Sequence, residues 1–120
     1  RQRQMCIRDS FHTVNGFLNG FVDMVCQDPD GNICVIDYKS NHLGTDASAY
    51  TQQAMDEAVA HHHYYLQALI YAVAAARYFK LRGQPPAAVS VRYLFLRGLD
   101  GKGGGVWRWD IDAAALEQIK

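Results

Sequence analysis

Three charged residues lie in the two most apolar, strand-like runs of the sequence, and their types suit metal-assisted chemistry on phosphate. Asp23 lies in GFVDMV, and Asp37 and Lys39 lie in VIDYKS. Carboxylate oxygens on rigid strands suit Mg²⁺, whose remaining positions water and substrate phosphate can fill. A lysine beside such a metal can orient water or neutralise charge on a phosphate. The pattern predicts a magnesium site, and the structural alternative is a solvent-facing hairpin that carries an Asp–Lys ion pair.

The turn between these two runs decides whether the charged residues meet. The segment DPDGN, residues 28–32, is typical of a tight turn because its proline presets φ and its glycine and asparagine tolerate positive φ. A five-residue turn places Asp23 opposite Asp37. Because side chains alternate between the faces of a sheet, the same register puts Lys39 on the face of both aspartates. A shift of one residue would separate the two carboxylates.

The rest of the chain predicts a mixed α/β domain in which helices separate an antiparallel meander from two later strands. Asp112 is predicted to cap the last helix. The expected order is β-β-β-α-α-β-β-α, with strands at Phe11–Phe17, Gly20–Cys26, Ile33–Lys39, Val89–Leu96 and Val106–Ile111, a helical region at Ala47–Arg82, and a last helix from Ala113.

The limits of the long helical region have their own signals. Thr45, Asp46 and Ser48 are candidate N-caps, and Gly83 followed by Gln-Pro-Pro marks the end. Because the region is long for one globular helix, we expect a break near Val59–His63 that divides it into two helices.

Composition and charge exclude several classes of function. The 120 residues carry no formal net charge at neutral pH, so any surface that attracts nucleic acid or membrane must be local. There is no apolar run of membrane-spanning length and no secretory signal pattern, which favours a soluble cytoplasmic protein. The three cysteines lack metal-ligand spacing. Cys26 and Cys34 are neighbours in the predicted register and are expected to be thiols.

The first ten residues, RQRQMCIRDS, differ in pattern from the rest of the chain. They are polar, lack periodicity, and match what the end of a sequencing-transposon adapter would encode. We therefore expect Arg1–Ser10 to be non-native, with a disordered linker as the alternative, and assign no fold element to the segment. Residues 11–120 are then expected to be an N-terminally truncated domain.

Four short sequence motifs follow one another along the chain. GFVDMV and VIDYKSN are followed by YLQALIY, in which Gln67 and Tyr71 share one helical face, and then by YLFLRG. This combination resembles the PD-(D/E)xK nuclease superfamily, and within it the RecB-type nucleases, in particular the C-terminal nuclease domain of the exodeoxyribonuclease V β subunits. The resemblance runs from about Leu18 to Trp107. It implies an α/β core like that of restriction endonucleases.

The resemblance implies a role for each charged residue of the hairpin. Asp23 and Asp37 match the carboxylates that bind Mg²⁺, the backbone carbonyl of Tyr38 matches a further ligand, and Lys39 matches the catalytic lysine. RecB-type nucleases also have a histidine ligand on an upstream helix. His12 lies in a strand-like stretch too close to Asp23 to be that ligand. The metal site is therefore expected to be incomplete, and this segment alone is expected to be inactive.

The helical motif and the reaction follow from the same resemblance. Gln67 and Tyr71 match residues that support the site and contact DNA. The implied activity is Mg²⁺-dependent exonucleolytic hydrolysis of DNA, with RecC and RecD subunits as partners in double-strand break repair and recombination. ATP would serve only a helicase motor, whose G-x-x-x-x-G-K-[ST] motif does not occur here. The alternatives are another nuclease of the superfamily, AddA-like or Cas4-like, and a catalytically inactive nuclease-fold module that binds subunits or DNA.

Two further groups of polar residues have weaker functional interpretations. Arg92, Arg97, Lys102 and Arg108 surround the last strands and either contact DNA phosphates or form an ordinary charged surface. His61–His63 cannot all ligate one metal, because successive side chains on a helix point about 100° apart.

Aromatic residues at regular spacing are assigned to the core. Tyr64 and Tyr78 fall at helical spacing with apolar neighbours. Trp107 and Trp109 alternate with Arg108 and share one face of a strand, where packing on the core is favoured over stacking on bases.

Overall fold

The computed structural model describes the backbone of residues 5–6 and the whole of residues 22–119. The predicted strand at Phe11–Phe17 lies outside these residues. The described elements are β1 (Met5–Cys6), β2 (Met24–Gln27), β3 (Ile33–Lys39), α1 (Gln52–His61), α2 (Tyr64–Leu81), β4 (Ala88–Phe95), β5 (Val106–Asp112) and α3 (Ala113–Glu117), with short 3₁₀ turns at Ala47–Ala49 and Leu96–Gly98. The five strands form one sheet in the order β1-β2-β3-β4-β5.

The hairpin formed by β2 and β3 has the predicted register. Val25 pairs with Val35, and the ladder continues for one residue beyond β2 because the amide of Asp23 donates to the carbonyl of Ile36. Asp28 organises the turn, since its side chain accepts hydrogen bonds from the amides of residues 30 and 32. Gly31 has a φ of 86°, the conformation that glycine adopts without steric cost.

The two-residue strand β1 pairs antiparallel with β2 at the edge of the sheet. It lies in the segment for which the sequence pattern indicated no fold element. On the next pair of strands, Cys26 and Cys34 face each other, and both are buried thiols as expected.

The pairing of β3 with β4 is parallel and was not assigned from the sequence. Two helices connect these strands, which gives the chain the length that a parallel crossover needs. Asp37 lies opposite Tyr93, and Lys39 lies opposite Phe95. Because both strands run in the same direction, the chain leaves β3 after Lys39 and β4 after Phe95 at the same end of the sheet.

The helical region begins later than the sequence pattern predicted. Ala47–Ala49 is a 3₁₀ turn that Asp46 caps, and α1 starts only after Thr51, whose hydroxyl accepts from the amide of Ala54 at 3.1 Å. The predicted α-helical start at Ala47 is therefore wrong, since the first turn is 3₁₀ and Thr51 caps the α-helix that follows it. The predicted break is confirmed, because His63 adopts a left-handed φ of 60° between α1 and α2.

The predicted cap of the last helix is also corrected. Asp112 precedes α3, but its side chain makes no capping hydrogen bond. The adjoining backbone is satisfied differently, because the amide of Ala113 donates to the carbonyl of Ala87 at 2.9 Å. A backbone contact with the segment before β4 therefore replaces the expected side-chain cap.

One face of the sheet packs against α2 and forms the core. Ala68, Ala72 and Ala75 of α2 are fully buried, and these small side chains let the helix approach the sheet closely. On β4 every second residue is buried, as expected for a strand with one covered face. No described helix is both long and apolar enough to cross a membrane.

The loop that follows Lys39 is held against the end of β4 by Tyr50. The Tyr50 hydroxyl accepts from the amide of Leu43 and donates to the carbonyl of Asn41, both at 3.2 Å. Its ring packs directly on Gly98, where an added Cβ would lie 2.3 Å from the ring carbon Cγ. Glycine is therefore required at position 98 for steric reasons, and the contact joins two chain segments at the same edge of the sheet.

Replacing Gly98 with alanine should destabilise the fold, because the new methyl group would displace the Tyr50 ring. We expect a loss of roughly 1–3 kcal/mol in the free energy of unfolding, typical of overpacking in a well-packed region. Thermal unfolding followed by circular dichroism measures this. Lys102→Ala, at an exposed position in the next hairpin, is the control. Equal melting temperatures for Gly98→Ala and the wild type would show that the loop is not clamped in this way.

Candidate active site

The hairpin brings its three charged residues together at the end of β3 beneath α2. Asp37 and Lys39 are 8% and 9% exposed, whereas Asp23 lies at the exposed rim. The charged face therefore belongs to the covered side of the sheet, and the alternative of a solvent-facing hairpin does not hold. Asp23 is fixed by a hydrogen bond from the backbone amide of Tyr38 to its Oδ2 at 2.8 Å.

Asp37 is the more buried of the two carboxylates, and its surroundings change its acidity. Its Oδ2 lies 3.1 Å from Lys39 Nζ and accepts a hydrogen bond from the Tyr71 hydroxyl at 3.3 Å. Burial raises the pKa of Asp37 to about 6, and the neighbouring Asp23 adds to this rise. The Lys39 ammonium acts in the opposite direction without cancelling the increase. A second positive charge near these carboxylates would therefore be favourable.

Lys39 is surrounded by an amide oxygen and two aromatic rings. Its Nζ donates to Gln67 Oε1 at 2.8 Å. It also lies 3.9 Å from the centroid of the Tyr64 ring and 4.7 Å from that of Tyr93, within the range of cation–π attraction. These contacts hold the ammonium in addition to its ion pair with Asp37, so its position does not depend on the ion pair alone.

Gln67 and Tyr71 occupy adjacent turns of α2 and contact different members of the hairpin. Gln67 binds Lys39, while Tyr71 binds Asp37. Burial and the Asp37 carboxylate both raise the pKa of Tyr71 above its usual value, so its hydroxyl remains a donor. The structure thus brings both motif residues to the charged cluster. Whether they contact DNA stays a prediction.

Sequence reasoning missed the contribution of two tyrosines to this cluster. Tyr64 was assigned to the core, and Tyr93 was not distinguished from its apolar neighbours. The Tyr93 hydroxyl lies 2.9 Å from Gln67 Oε1 and 2.9 Å from the backbone carbonyl of Tyr64. Its position opposite Asp37 follows from the parallel pairing of β3 and β4, whose register no local sequence signal indicates.

The donor set fits a hard divalent cation. Asp23 and Asp37 supply carboxylate oxygens, which are the ligands that Mg²⁺ prefers. The amide of Tyr38 points toward Asp23, and because the N–H and C=O of a strand residue point to the same side, its carbonyl faces that side as well. Among the residues that the structure describes, no group of three or more His, Cys, Asp or Glu side chains is arranged so that it could hold a metal ion. Within the described part of the chain, Asp23, Asp37 and the carbonyl of Tyr38 are the candidate ligands.

The basic residues near the last strands divide between two places. Arg92 and Arg108 face each other in the register on the side of the sheet away from α2, and Arg108 binds Asp110 at 2.8 Å. Arg97 instead lies beside the site, where its Nε donates to the carbonyl of Ser40 at 3.2 Å. These three arginines therefore do not form one basic patch, and of the three Arg97 makes the described contact with the loop after Lys39.

Two other groups of side chains have mainly structural contacts. Trp107 is 3% exposed and stacks on Tyr93 with ring centroids 5.3 Å apart, as the predicted core packing requires. Its Nε1 donates to Asp56 at 2.9 Å. His62 is exposed and stacks on the Tyr64 ring.

Known proteins of one family are similar in sequence to this chain. A sequence model of the PD-(D/E)XK nuclease superfamily matches residues 4–119. The RecBCD enzyme subunit RecB of Escherichia coli is 46% identical over 94 residues, which are 75% of this chain and 8% of that protein. Subunits of the same name from Mycobacterium tuberculosis and Mycolicibacterium smegmatis are 36% and 39% identical over 86% and 81% of this chain. The chain spans 10% or less of the length of these relatives.

Replacing Asp37 with asparagine should stabilise the metal-free protein near neutral pH. The folded-state pKa of about 6 lies above the ordinary value of 3.8, so the charged carboxylate opposes folding once the pH exceeds both values. The neutral asparagine avoids this cost, so the variant should have the higher melting temperature. The melting temperature in the presence of a chelator measures it.

The advantage of Asp37→Asn should shrink in mild acid. As the pH falls through about 6, the folded wild type takes up a proton that the unfolded chain does not yet bind, and it recovers stability. Asp112→Asn, at an exposed carboxylate, is the matched control and should change the melting temperature little. A variant that is less stable than the wild type near neutral pH, or a difference that does not depend on pH, would contradict this account.

Proposed function

Because the chain belongs to the PD-(D/E)XK nuclease superfamily, we propose that it hydrolyses phosphodiester bonds of DNA with Mg²⁺ as cofactor. The observation that carries the proposal is the meeting of Asp23, Asp37 and Lys39 at one end of the covered face. Gln67 and Tyr71 reach the same cluster from α2. An ion pair on the surface would not explain why Lys39 is buried and held by three side chains besides Asp37.

The proposed roles follow from the contacts. Asp23, Asp37 and the carbonyl of Tyr38 would hold the cation, which when bound polarises a phosphoryl oxygen and acidifies a coordinated water. Tyr71 donates to Asp37 and so fixes the direction of that carboxylate. Lys39 carries the positive charge that meets the negative charge developing on the phosphoryl oxygens as water attacks phosphorus and the P–O bond to the leaving oxygen breaks.

The position of Lys39 suits this role. Asp37 can serve as a ligand without releasing Lys39 from the site, because Gln67 and the two tyrosine rings hold the ammonium independently. The ammonium is also nearly excluded from water. Exclusion from water strengthens its attraction for an anionic transition state relative to that of an exposed lysine.

The wider setting is proposed from the named relatives. The similar proteins are RecB subunits of RecBCD enzymes. We therefore propose an exonuclease domain of a RecBCD-type helicase–nuclease that acts on DNA in the cytoplasm during double-strand break repair and recombination. RecC and RecD subunits are the proposed partners, and ATP would be used by the helicase portion of such a protein.

Asp37→Ala should abolish Mg²⁺-dependent DNA degradation, because it removes a proposed ligand and the partner of Lys39. We expect a loss of about a thousandfold or more in cleavage rate, as for removal of a central electrostatic group. The assay uses the protein produced from the complete gene, purified with its partner subunits, and follows DNA degradation and ATP-driven unwinding with and without Mg²⁺.

Asp110→Ala is the control, since it removes a carboxylate from the opposite side of the same sheet. It should cut DNA at the wild-type rate. Retained unwinding in Asp37→Ala would show that the complex is intact. A wild type that does not cut DNA, or an Asp37→Ala variant that cuts equally well, would favour the inactive binding module instead.

A further inference from the structure

Tyr93 is fully buried and touches the surroundings of Lys39 in two ways. Its ring lies 4.7 Å from the ammonium, and its hydroxyl lies 2.9 Å from Gln67 Oε1. Burial raises the pKa of Tyr93 above its ordinary value, so the hydroxyl keeps its proton and acts as a donor. Tyr93 therefore contacts both the lysine and the amide that binds it.

The hydroxyl of Tyr93 has a specific effect on the Gln67 side chain. The oxygen Oε1 accepts from Lys39 at 2.8 Å and from Tyr93 at 2.9 Å. A carbonyl oxygen has two lone pairs, so these two donors use its full accepting capacity. Rotating the amide by half a turn would place an NH₂ group against an ammonium, which also donates. The two donors thus fix the amide with its oxygen toward Lys39.

Tyr93 is itself fixed by its surroundings. Its ring stacks on Trp107, with an angle of 19° between the ring planes, and its single hydroxyl proton is shared between Gln67 Oε1 and the backbone carbonyl of Tyr64, both at 2.9 Å. Its position on β4, an interior strand of the sheet, sets it directly opposite Asp37. Because Tyr93 is rigid, it can hold the flexible side chain of Lys39 in place before the reaction. Less conformational entropy is then lost in each catalytic cycle.

We propose that Tyr93 is a positioning residue for Lys39, acting through the Gln67 amide and through its own ring. The expected effect on kcat rests on the proposed function, whereas the expected effect on the position of Lys39 does not. Tyr93 is not expected to touch DNA or a metal ion. Its contribution is to keep the ammonium where Asp37 alone would not hold it.

The kinetic test compares Tyr93→Phe with the wild type in the complete protein and its subunits. Removing the hydroxyl should lower kcat about tenfold, the effect of one hydrogen bond that supports a charged group, and leave KM for DNA unchanged. Tyr78→Phe is the matched control, since it removes the hydroxyl of another buried tyrosine two turns beyond Tyr71 on α2, and it should leave both constants unchanged.

A double-mutant cycle distinguishes positioning from a general loss of stability. If Tyr93 acts through Gln67, Gln67→Ala combined with Tyr93→Phe should be no slower than Gln67→Ala alone. Losses that multiply would overturn the proposal, as would a Tyr93→Phe variant with wild-type kcat. A fall in melting temperature without a fall in kcat would likewise assign Tyr93 to the core alone.

A measurement without DNA separates this proposal from the proposed function. Reductive methylation followed by mass spectrometry reports the accessibility of each lysine, with exposed Lys102 as an internal reference. Lys39 should react slowly in the wild type and faster in Tyr93→Leu and Gln67→Ala. If these changes occur in a protein that does not cut DNA, the positioning role stands and the nuclease proposal fails. Equal labelling of Lys39 in all three proteins would reject the positioning role.

Discussion

The ion pair between Lys39 and Asp37, buried beneath α2, is the constraint on which much of the remaining structure depends. Its atoms are 3.1 Å apart, and both side chains are about nine-tenths removed from water. Taking two charges out of water is costly unless further hydrogen bonds satisfy them. Gln67 and Tyr71 supply those bonds from one face of α2. The helix must therefore pack closely against the sheet with that face turned toward the ion pair.

The sheet topology meets this requirement. The crossover through α1 and α2 makes β3 and β4 parallel, which places Tyr93 beside Asp37. The chain leaves both strands at the same end of the sheet. There the contact between Tyr50 and Gly98 joins the loop after Lys39 to the turn after β4. Alanines on the inner face of α2 allow the close approach. Backbone topology and side-chain size therefore act together to enclose the charges.

The sequence was informative wherever the determining interactions are local. The DPDGN turn fixes the hairpin register, and through it the meeting of Asp23 with Asp37. The histidine run coincides with the helix break, and the four-residue spacing of Gln67 and Tyr71 places both on one helical face. These features depend on turn chemistry and periodicity, which a single sequence carries.

The features that could not be predicted depend on contacts distant in sequence. The parallel register of β3 and β4 joins residues more than fifty positions apart, so nothing local in YLFL distinguishes Tyr93 from a core tyrosine. The same reason explains why Tyr64 was assigned to packing alone. The start of α1 was a different kind of error, because several capping residues compete within Thr45–Thr51 and only the tertiary structure selects Thr51.

The same geometry explains why residue 39 is a lysine and not an arginine. The described acceptors for its ammonium are two single oxygens, Asp37 Oδ2 and Gln67 Oε1, and two ring faces contribute charge stabilisation without fixed directions. A guanidinium presents five donors in one plane and is larger. In this enclosure several of those donors would be buried without acceptors, which is costly. A compact ammonium that two oxygens and two aromatic rings can satisfy is the cation that this fold can bury next to its carboxylates.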